Sequence, residues 1–444
     1  MGFDIASHVA SVDVNRTVKD ALDARLTAPR HRRRISVTDL LNPRKAYMQW
    51  TQPEVRPTGE RQRRILAGTG FHELFGHAVS SEEYLEQFVE WEGVAGKIDI
   101  YKDIPTELKT TRGLDEEADP RWARASYVEQ LAMYCGLADR SRGRLVIYDR
   151  GGDGAAPSLM AHDVTFPDLP AIREEMRRRR DLLAAALERG DPTGLPRCPW
   201  WRRGCEYEAT CACGEVKEAF EPTLARSAPE FTANPPLAQE LLALLPARPP
   251  PGRPRIHDLI YPRRSYFDAA HPPADTGEER LGNLERRGYS KALRDALQYG
   301  EGSDSQRRPV SLGPLTDLVT VHRGVPTLLR TAGLSSLPKR EKVPSLFANH
   351  VLRLAFDCAL AGTDRGRLLM YYEKLNDDSR LMAYDLVFRD LDRIRQEAEA
   401  RLSDMEQVRE GAIEPQALPA CPLWMAKHCP HQPACNCPTE RSVL

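Results

Sequence analysis

Residues 96–113 read "GKIDIYKDIPTELKTTRG", two apolar strands around a Lys102-Asp103 turn. Neighbouring side chains of a strand point to opposite faces, so Glu107 and Lys109 share one face while Leu108 takes the other. Asp99 stands on the strand before the turn. Two carboxylates and a lysine on one apolar hairpin are either a solvated ion pair or the donors of a metal site.

The surrounding chain repeats. "DLLNPRKAY" (39–47) returns as "DLIYPRRSY" (258–266), and "PTELKT" (105–110) as "PTLLRT" (326–331). "QLAMYCGLADRSRGRL" (130–145) returns as "RLAFDCALAGTDRGRL" (353–368). The Cys-rich "CPWWRRGCEYEATCAC" (198–213) returns as "CPLWMAKHCPHQPACNC" (421–437). All four pairs keep their order while the offset grows from 219 to 224, which marks a tandem duplication. The expected boundaries are a first domain over 1–219, a Pro-rich linker over 220–252 and a second domain over 253–444.

Each copy reads as helix, helix, strand pair, helix, strand, strand, helix and Cys tail. Thr38 is the expected N-cap of the first helix, "TDLLNPRKAYMQW". "ARASYVEQLAMYCGLA" has a helical period, "RGRLVIYDR" and "MAHDVTFP" read as strands, and Gly190 stops the helix "PAIREEMRRRRDLLAAALERG". The expected fold class is α/β, a mixed sheet flanked by helices in each copy.

Phosphodiester hydrolysis draws on a divalent cation, and oxygen ligands suit Mg²⁺ or Mn²⁺, an imidazole favouring Mn²⁺. A lysine beside the ion can position the attacking water and balance developing charge. Asp99, Glu107 and Lys109 supply these parts, and here the sequence resembles the PD-(D/E)xK nuclease superfamily. "GTGFH" (68–72) looks like the His-bearing helix of the RecB-like branch, and "QLAMY" (130–134) like its Gln-x-x-x-Tyr helix. With the Cys tail, residues 35–213 resemble the Cas-four type of iron–sulfur nuclease. The resemblance implies two restriction-endonuclease-like domains. It makes Asp99, Glu107, Lys109, Gln130 and Tyr134 catalytic and His72, Asp99 and Glu107 metal ligands.

The second copy has Leu328 and Arg330 for Glu107 and Lys109, Gly288-Tyr289-Ser290 for Gly70-Phe71-His72, and Arg353 and Asp357 for Gln130 and Tyr134. Asp317 is the candidate counterpart of Asp99. The second copy is expected to have lost the chemistry and to bind DNA phosphates through Arg263, Arg264, Arg330 and Arg353, with Arg44 in the first copy, since guanidinium forks suit phosphate.

Ten cysteines divide five and five. Cys135 and Cys358 sit in apolar helices as small buried hydrophobes. Cys198, Cys205, Cys211 and Cys213, and again Cys421, Cys429, Cys435 and Cys437, offer four thiolates at short range, suited to Zn²⁺ or a [4Fe–4S] cluster. The resemblance favours two iron–sulfur clusters. It also marks a departure: the family's Cys before Pro-Arg is Asn42 here and Tyr261 in the second copy.

A net charge of −1 excludes a polycation, although basic runs occur at 28–34 and 177–180. No apolar run approaches the roughly 18–20 residues of a membrane span and no signal-peptide core opens the chain, so a cytoplasmic protein without membrane contact is expected. The resemblance implies a metal-dependent deoxyribonuclease, an exonuclease on single-stranded DNA or DNA ends, serving repair, defence against phage or phage DNA metabolism. The rival is a non-catalytic DNA-binding or assembly subunit of a defence or repair complex.

Overall fold

The computed structural model describes residues 3–26, 28, 34–57, 59–113, 123–151, 156–199, 205–227, 230–247, 253–272, 275–298, 305–375, 379–426 and 429–438. The basic run at 28–34 lies largely outside them. The chain forms two compact units. Thr27–Ala247 with Asp275–Leu293 makes the first unit; Met1–Leu26, Arg248–Ala274 and Arg294–Leu444 make the second.

Strand β1 (Val9–Val14) belongs to the second unit. The first unit holds β2 (Ile35–Ser36), β3 (Leu85–Trp91), β4 (Val94–Tyr101), β5 (Pro105–Thr111), β6 (Arg142–Asp149), β7 (Ser158–Thr165) and β8 (Glu230–Ala233). They form one mixed sheet in the order β2-β4-β5-β6-β7-β8, with β3 on β4. β5 and β6 run parallel, a step that needs a crossover, and the helix Ala125–Ala138 supplies it. β3, which the sequence reading passed over, pairs antiparallel with β4.

Alternation along β6 builds both layers of the core. Leu145 and Ile147 pack against Val128 and Leu131 of the crossover helix and Met176 of the helix Leu169–Arg189. Val146 and Tyr148 face the other way, onto Phe71 and Phe75 of the helix Gly59–Val79. Each such buried side chain is worth about 1.5–3 kcal/mol. Leu281 and Leu284, from the helix Gly277–Ala296, join the second layer. The two helices of that layer touch at Gly70 and Gly288, where a Cβ on Gly70 would stand 1.9 Å from the Gly288 carbonyl oxygen. Only glycine allows that approach.

The Pro-Arg segment is two helices, Val37–Leu41 and Pro43–Thr51. Pro43 forces Asn42 out of helical geometry, to φ −142° and ψ 64°. The first helix is capped at Ser36 rather than Thr38: the Ser36 amide and hydroxyl both donate to Asp39 at 2.9 Å. Gly190 ends Leu169–Arg189 as expected, at φ +67°.

The second unit repeats the plan with β9 (Ser305–Leu312), β10 (Leu315–His322), β11 (Val325–Ala332), β12 (Arg365–Tyr372) and β13 (Leu381–Phe388), in the order β1-β13-β12-β11-β10-β9. β11 and β12 are its parallel pair, bridged by the helix Ala348–Ala361.

The edge strands alter the expected boundaries. In the first unit β8 lies on β7, and Asn234 then caps the helix Pro235–Leu244. In the second unit β1 lies on β13, and Asn15 precedes the helix Arg16–Leu26. The bonds match one for one. Asn234 accepts from the Leu237 amide at 3.1 Å and donates to Asp163 at 2.8 Å; Asn15 accepts from the Val18 amide at 2.9 Å and donates to Asp385 at 2.7 Å. Residues 220–247 are therefore largely structure of the first unit, and residues 1–26 fill the same place in the second. Pro235 and Pro236 suggested a linker, but after an Asn cap the first helical turn tolerates proline, whose missing amide would be unpaired there anyway. Among the described residues no helix is long and apolar enough to cross a membrane.

Candidate functional site

Four elements of the first unit bring the expected side chains together. β4 carries Asp99, β5 carries Glu107 and Lys109, the crossover helix carries Gln130 and Tyr134, and Gly59–Val79 carries His72. Asp99 accepts from the Leu108 amide at 2.8 Å, which ties the two strands where their regular pairing ends. His72 Nδ1 lies 3.8 Å from the same carboxylate oxygen. Lys109 Nζ donates to Glu107 and, at 2.9 Å, to Gln130 Oε1. Gln130 Nε2 donates in turn to Tyr134 Oη at 3.1 Å. The i,i+4 spacing thus becomes a relay that fixes the ammonium. Tyr127 completes the setting, with Lys109 Nζ 5.6 Å from its ring centre. The sequence reading missed Tyr127, although its place one turn before Gln130 on the same helix face was visible.

Burial sets the electrostatics. Glu107 is 2% exposed. Loss of solvent, reinforced by the Asp99 charge and only partly offset by Lys109, pushes its pKa up to about 8. Burial opposes the Lys109 charge, but the two carboxylates outweigh it and hold its pKa above the usual lysine value. Burial also works against the Asp99 charge, yet His72, Lys109 and the Leu108 amide together keep that carboxyl below its ordinary range. Glu107 Oε2 is buried without a hydrogen-bond partner. Such an atom costs about 1–3 kcal/mol unless something satisfies it. Two neighbouring carboxylates with one oxygen left over are a donor set that fits a hard divalent cation. Among the described residues, however, no three His, Cys, Asp or Glu side chains converge closely enough to enclose one ion. His72 stands beside Asp99 and does not complete a ready-made triad.

The matching place in the second unit is closed by its own charges. β10 meets β11 through Val321 and Pro326 as β4 meets β5 through Tyr101 and Pro105, which puts Val319 at the register of Asp99. Asp317 lies two residues away on the same face. Arg353 donates to Asp357 at 2.9 Å and to Asp317 at 3.1 Å. This corrects the expectation that Arg353 faces phosphate: its side chain is 13% exposed and is used by two carboxylates. Arg330 is half-buried and donates to the Leu329 carbonyl at 2.9 Å.

Arg44 and Arg263 are also placed otherwise than expected. Arg44 is buried and donates to the carbonyls of Cys211 at 2.8 Å and Pro192 at 3.0 Å. Arg263 does the same for Leu418 at 3.0 Å and Cys435 at 3.1 Å. Each arginine after the repeated Pro ties the helix it opens, Pro43–Thr51 or Pro262–Ala270, to the Cys loop of its unit, where a DNA contact was expected. Arg264 is less buried and pairs with Asp268 at 3.4 Å.

Cys198, Cys205, Cys211 and Cys213 line one cavity of about 390 Å³. The Cys198 amide donates to Cys213 Sγ at 3.5 Å, and in the second unit the Cys421 amide donates to Cys437 Sγ at 3.4 Å. Burial raises the Cys198 thiol far above its usual range and Cys421 to about 12. Four soft donors share this cavity, but among the described residues no three of them converge closely enough to enclose one ion. Zinc or an iron–sulfur cluster would have to draw them together and displace their protons on binding. Anaerobic purification tests the choice: two iron–sulfur clusters per chain give a brown protein, and stoichiometric zinc without iron would overturn that assignment. Cys135 and Cys358 are fully buried in their helices, as expected of small hydrophobes.

No family model matches the chain, and no curated protein matches it. Among solved structures, one titled "Crystal structure of SSO0001" aligns at 19% identity and a TM-score of 0.30, over 44% of this chain and 94% of that one.

Proposed function

We propose that the first unit is a divalent-cation-dependent nuclease of the PD-(D/E)xK type acting on single-stranded DNA or DNA ends, and that the second unit has no cleavage chemistry of its own. The observation that carries this reading is the buried Glu107 oxygen without a partner, beside Asp99 and a lysine held by Glu107 and Gln130. Asp99 and Glu107 would hold the cation, with His72 adjacent. A bound Mg²⁺ or Mn²⁺ supplies Lewis-acid polarisation of the phosphoryl oxygen and hydroxide at neutral pH. Lys109 contributes a fixed positive charge toward the scissile phosphate, where negative charge grows in the transition state. Gln130 and Tyr134 hold that ammonium in place, so little reorganisation is left for the reaction step.

The test is cleavage of end-labelled single strands with and without Mn²⁺, together with Mn²⁺ titration of the resting protein by calorimetry. Glu107 carries a proton below about pH 8, and the cation must displace it. Affinity should therefore rise with pH, by up to about tenfold per unit, and level off above pH 8. A flat profile between pH 6 and 8 would show that the cation displaces no proton from Glu107, and unchanged Mn²⁺ affinity in Glu107→Ala would remove it from the ligand set. The second reading, a non-catalytic DNA-binding subunit, is favoured by the absence of three converging ligands among the described residues. Strand binding without any metal-dependent cleavage would establish it.

A further inference from the structure

Beside the Lys109 site, within the first unit, lies a cavity of about 850 Å³ lined by Arg63, Arg64, Arg112, Arg124 and Arg150. Two glutamates, Glu60 and Glu285, share the wall, so five positive charges meet two negative ones. Chain geometry links the cavity to the site. Thr111 and Arg112 of its wall come two and three residues after Lys109, and Tyr127 both lines the cavity and packs on the Lys109 ammonium.

The arginines divide into two sets, with Arg63 in the wall, its guanidinium 5.9 Å from the centre of the Tyr289 ring. Arg64 pairs with Glu60, and Arg150 is held by Glu285 at 3.3 Å and by the Thr111 carbonyl at 3.3 Å, so these build the wall. Arg112 is exposed, and Arg124 spends one nitrogen on the neighbouring Ala123 carbonyl at 2.9 Å while its Nε has no partner. Among the described residues neither of these two pairs with a carboxylate. They are the groups left to meet an anion that enters.

Size and chemistry narrow the occupant. The volume lies in the range of small-ligand pockets, about 300–1,000 Å³. That admits a few nucleotides of one strand and excludes a double helix, whose grooves alone are about 12 Å and about 6 Å wide. Guanidinium forks match phosphate oxygens, and the rings of Tyr127 and Phe220 in the wall suit bases or sugars. We propose that this cavity is the subsite for the backbone of a single strand next to the bond that is cut, with Arg112 and Arg124 on its phosphates. The proposal rests on the nuclease reading and deepens it: the cavity selects one strand over a duplex.

The experiment is fluorescence anisotropy of a labelled oligothymidylate with the full chain in buffer without Mg²⁺ or Mn²⁺, over a range of salt. The double variant Arg112→Ala, Arg124→Ala should bind at least about tenfold more weakly, the loss expected for one charge-assisted hydrogen bond. Its salt dependence should be shallower by about 0.7 for each phosphate that the variant no longer neutralises. With Mn²⁺ present, KM should rise by more than kcat falls, and Arg→Lys at both positions should restore part of the affinity. Should the double variant misfold by circular dichroism, the exposed Arg112→Ala carries the same test alone. Unchanged affinity and salt slope in the variant would overturn the subsite, as would a duplex of equal length that competes as well as the single strand. The two readings fail separately. A wild type that binds the strand through these arginines but never cleaves it removes the nuclease and leaves the subsite. A wild type that cleaves while the arginine variants bind normally does the reverse.

Discussion

Lys109→Ala and Glu107→Ala are each expected to reduce metal-dependent strand cleavage by about two to four orders of magnitude. Cation and ammonium charge at a phosphoryl centre are worth several kcal/mol, and each 1.36 kcal/mol is about tenfold in rate. Glu107→Ala removes a cation donor, whereas Lys109→Ala leaves the donors in place and removes the fixed charge. Mn²⁺ affinity should therefore fall in the first variant and hold in the second. Neither loss should come from unfolding. Glu107→Ala removes an unpaired buried oxygen but also one acceptor of the Lys109 ammonium, which keeps Gln130, and near-ultraviolet circular dichroism matching wild type is the control that separates lost chemistry from lost fold. Arg330→Ala, at the Lys109 position of the second unit, should keep the rate at saturating strand within a few-fold of wild type. Full activity in both first-unit variants, with contaminating nuclease excluded, would sink the assignment.

The residues of this site were legible because chemistry and order coincide. Asp99, Glu107 and Lys109 follow from a period of two on adjacent strands, and Gln130 with Tyr134 from a helical period of four. The alternation of Leu145, Val146, Ile147 and Tyr148 made the strand between two helical layers readable in the same way. What could not be read was where charge is spent. Arg44 and Arg263 look like phosphate ligands in a string of letters, but a buried loop of carbonyls claims them. Arg353 likewise looks free until two carboxylates from separate elements are placed beside it. The strand–helix segments at 9–26 and 230–244 were missed for a related reason. A short edge strand and a helix opening on Pro235-Pro236 carry weak local signals, and their partner strands lie more than 60 residues away or near the other end of the chain.

Deletion of residues 1–26 is expected to unfold the second unit and spare the first. β1 covers the edge of β13 from Val9 to Val14, so its loss leaves a row of unpaired backbone groups on that strand. Ile5, Val18 and Leu22 are 3%, 5% and 1% exposed. At about 1.5–3 kcal/mol for each buried aliphatic side chain, the three contribute roughly 5–9 kcal/mol as an upper estimate. That is comparable with the whole stability of a typical domain, about 5–15 kcal/mol. Asp385 would lose the Asn15 amide that shares it with Arg367. The first unit draws the equivalent strand and helix from Glu230–Ala233 and Pro235–Leu244, so the deletion takes nothing from its sheet. Hydrogen exchange read by mass spectrometry separates the two outcomes. In the truncated protein residues 365–388 should exchange quickly, while residues 142–165 keep wild-type protection. Leu22→Ala in the full chain should move the second unit the same way by about 2–5 kcal/mol. A synthetic peptide of residues 1–26 should restore protection when added, since it binds only the folded form and draws the second unit back to it. Wild-type protection at 381–388 after the deletion would show that the N-terminal strand and helix only decorate the second unit and do not complete its fold.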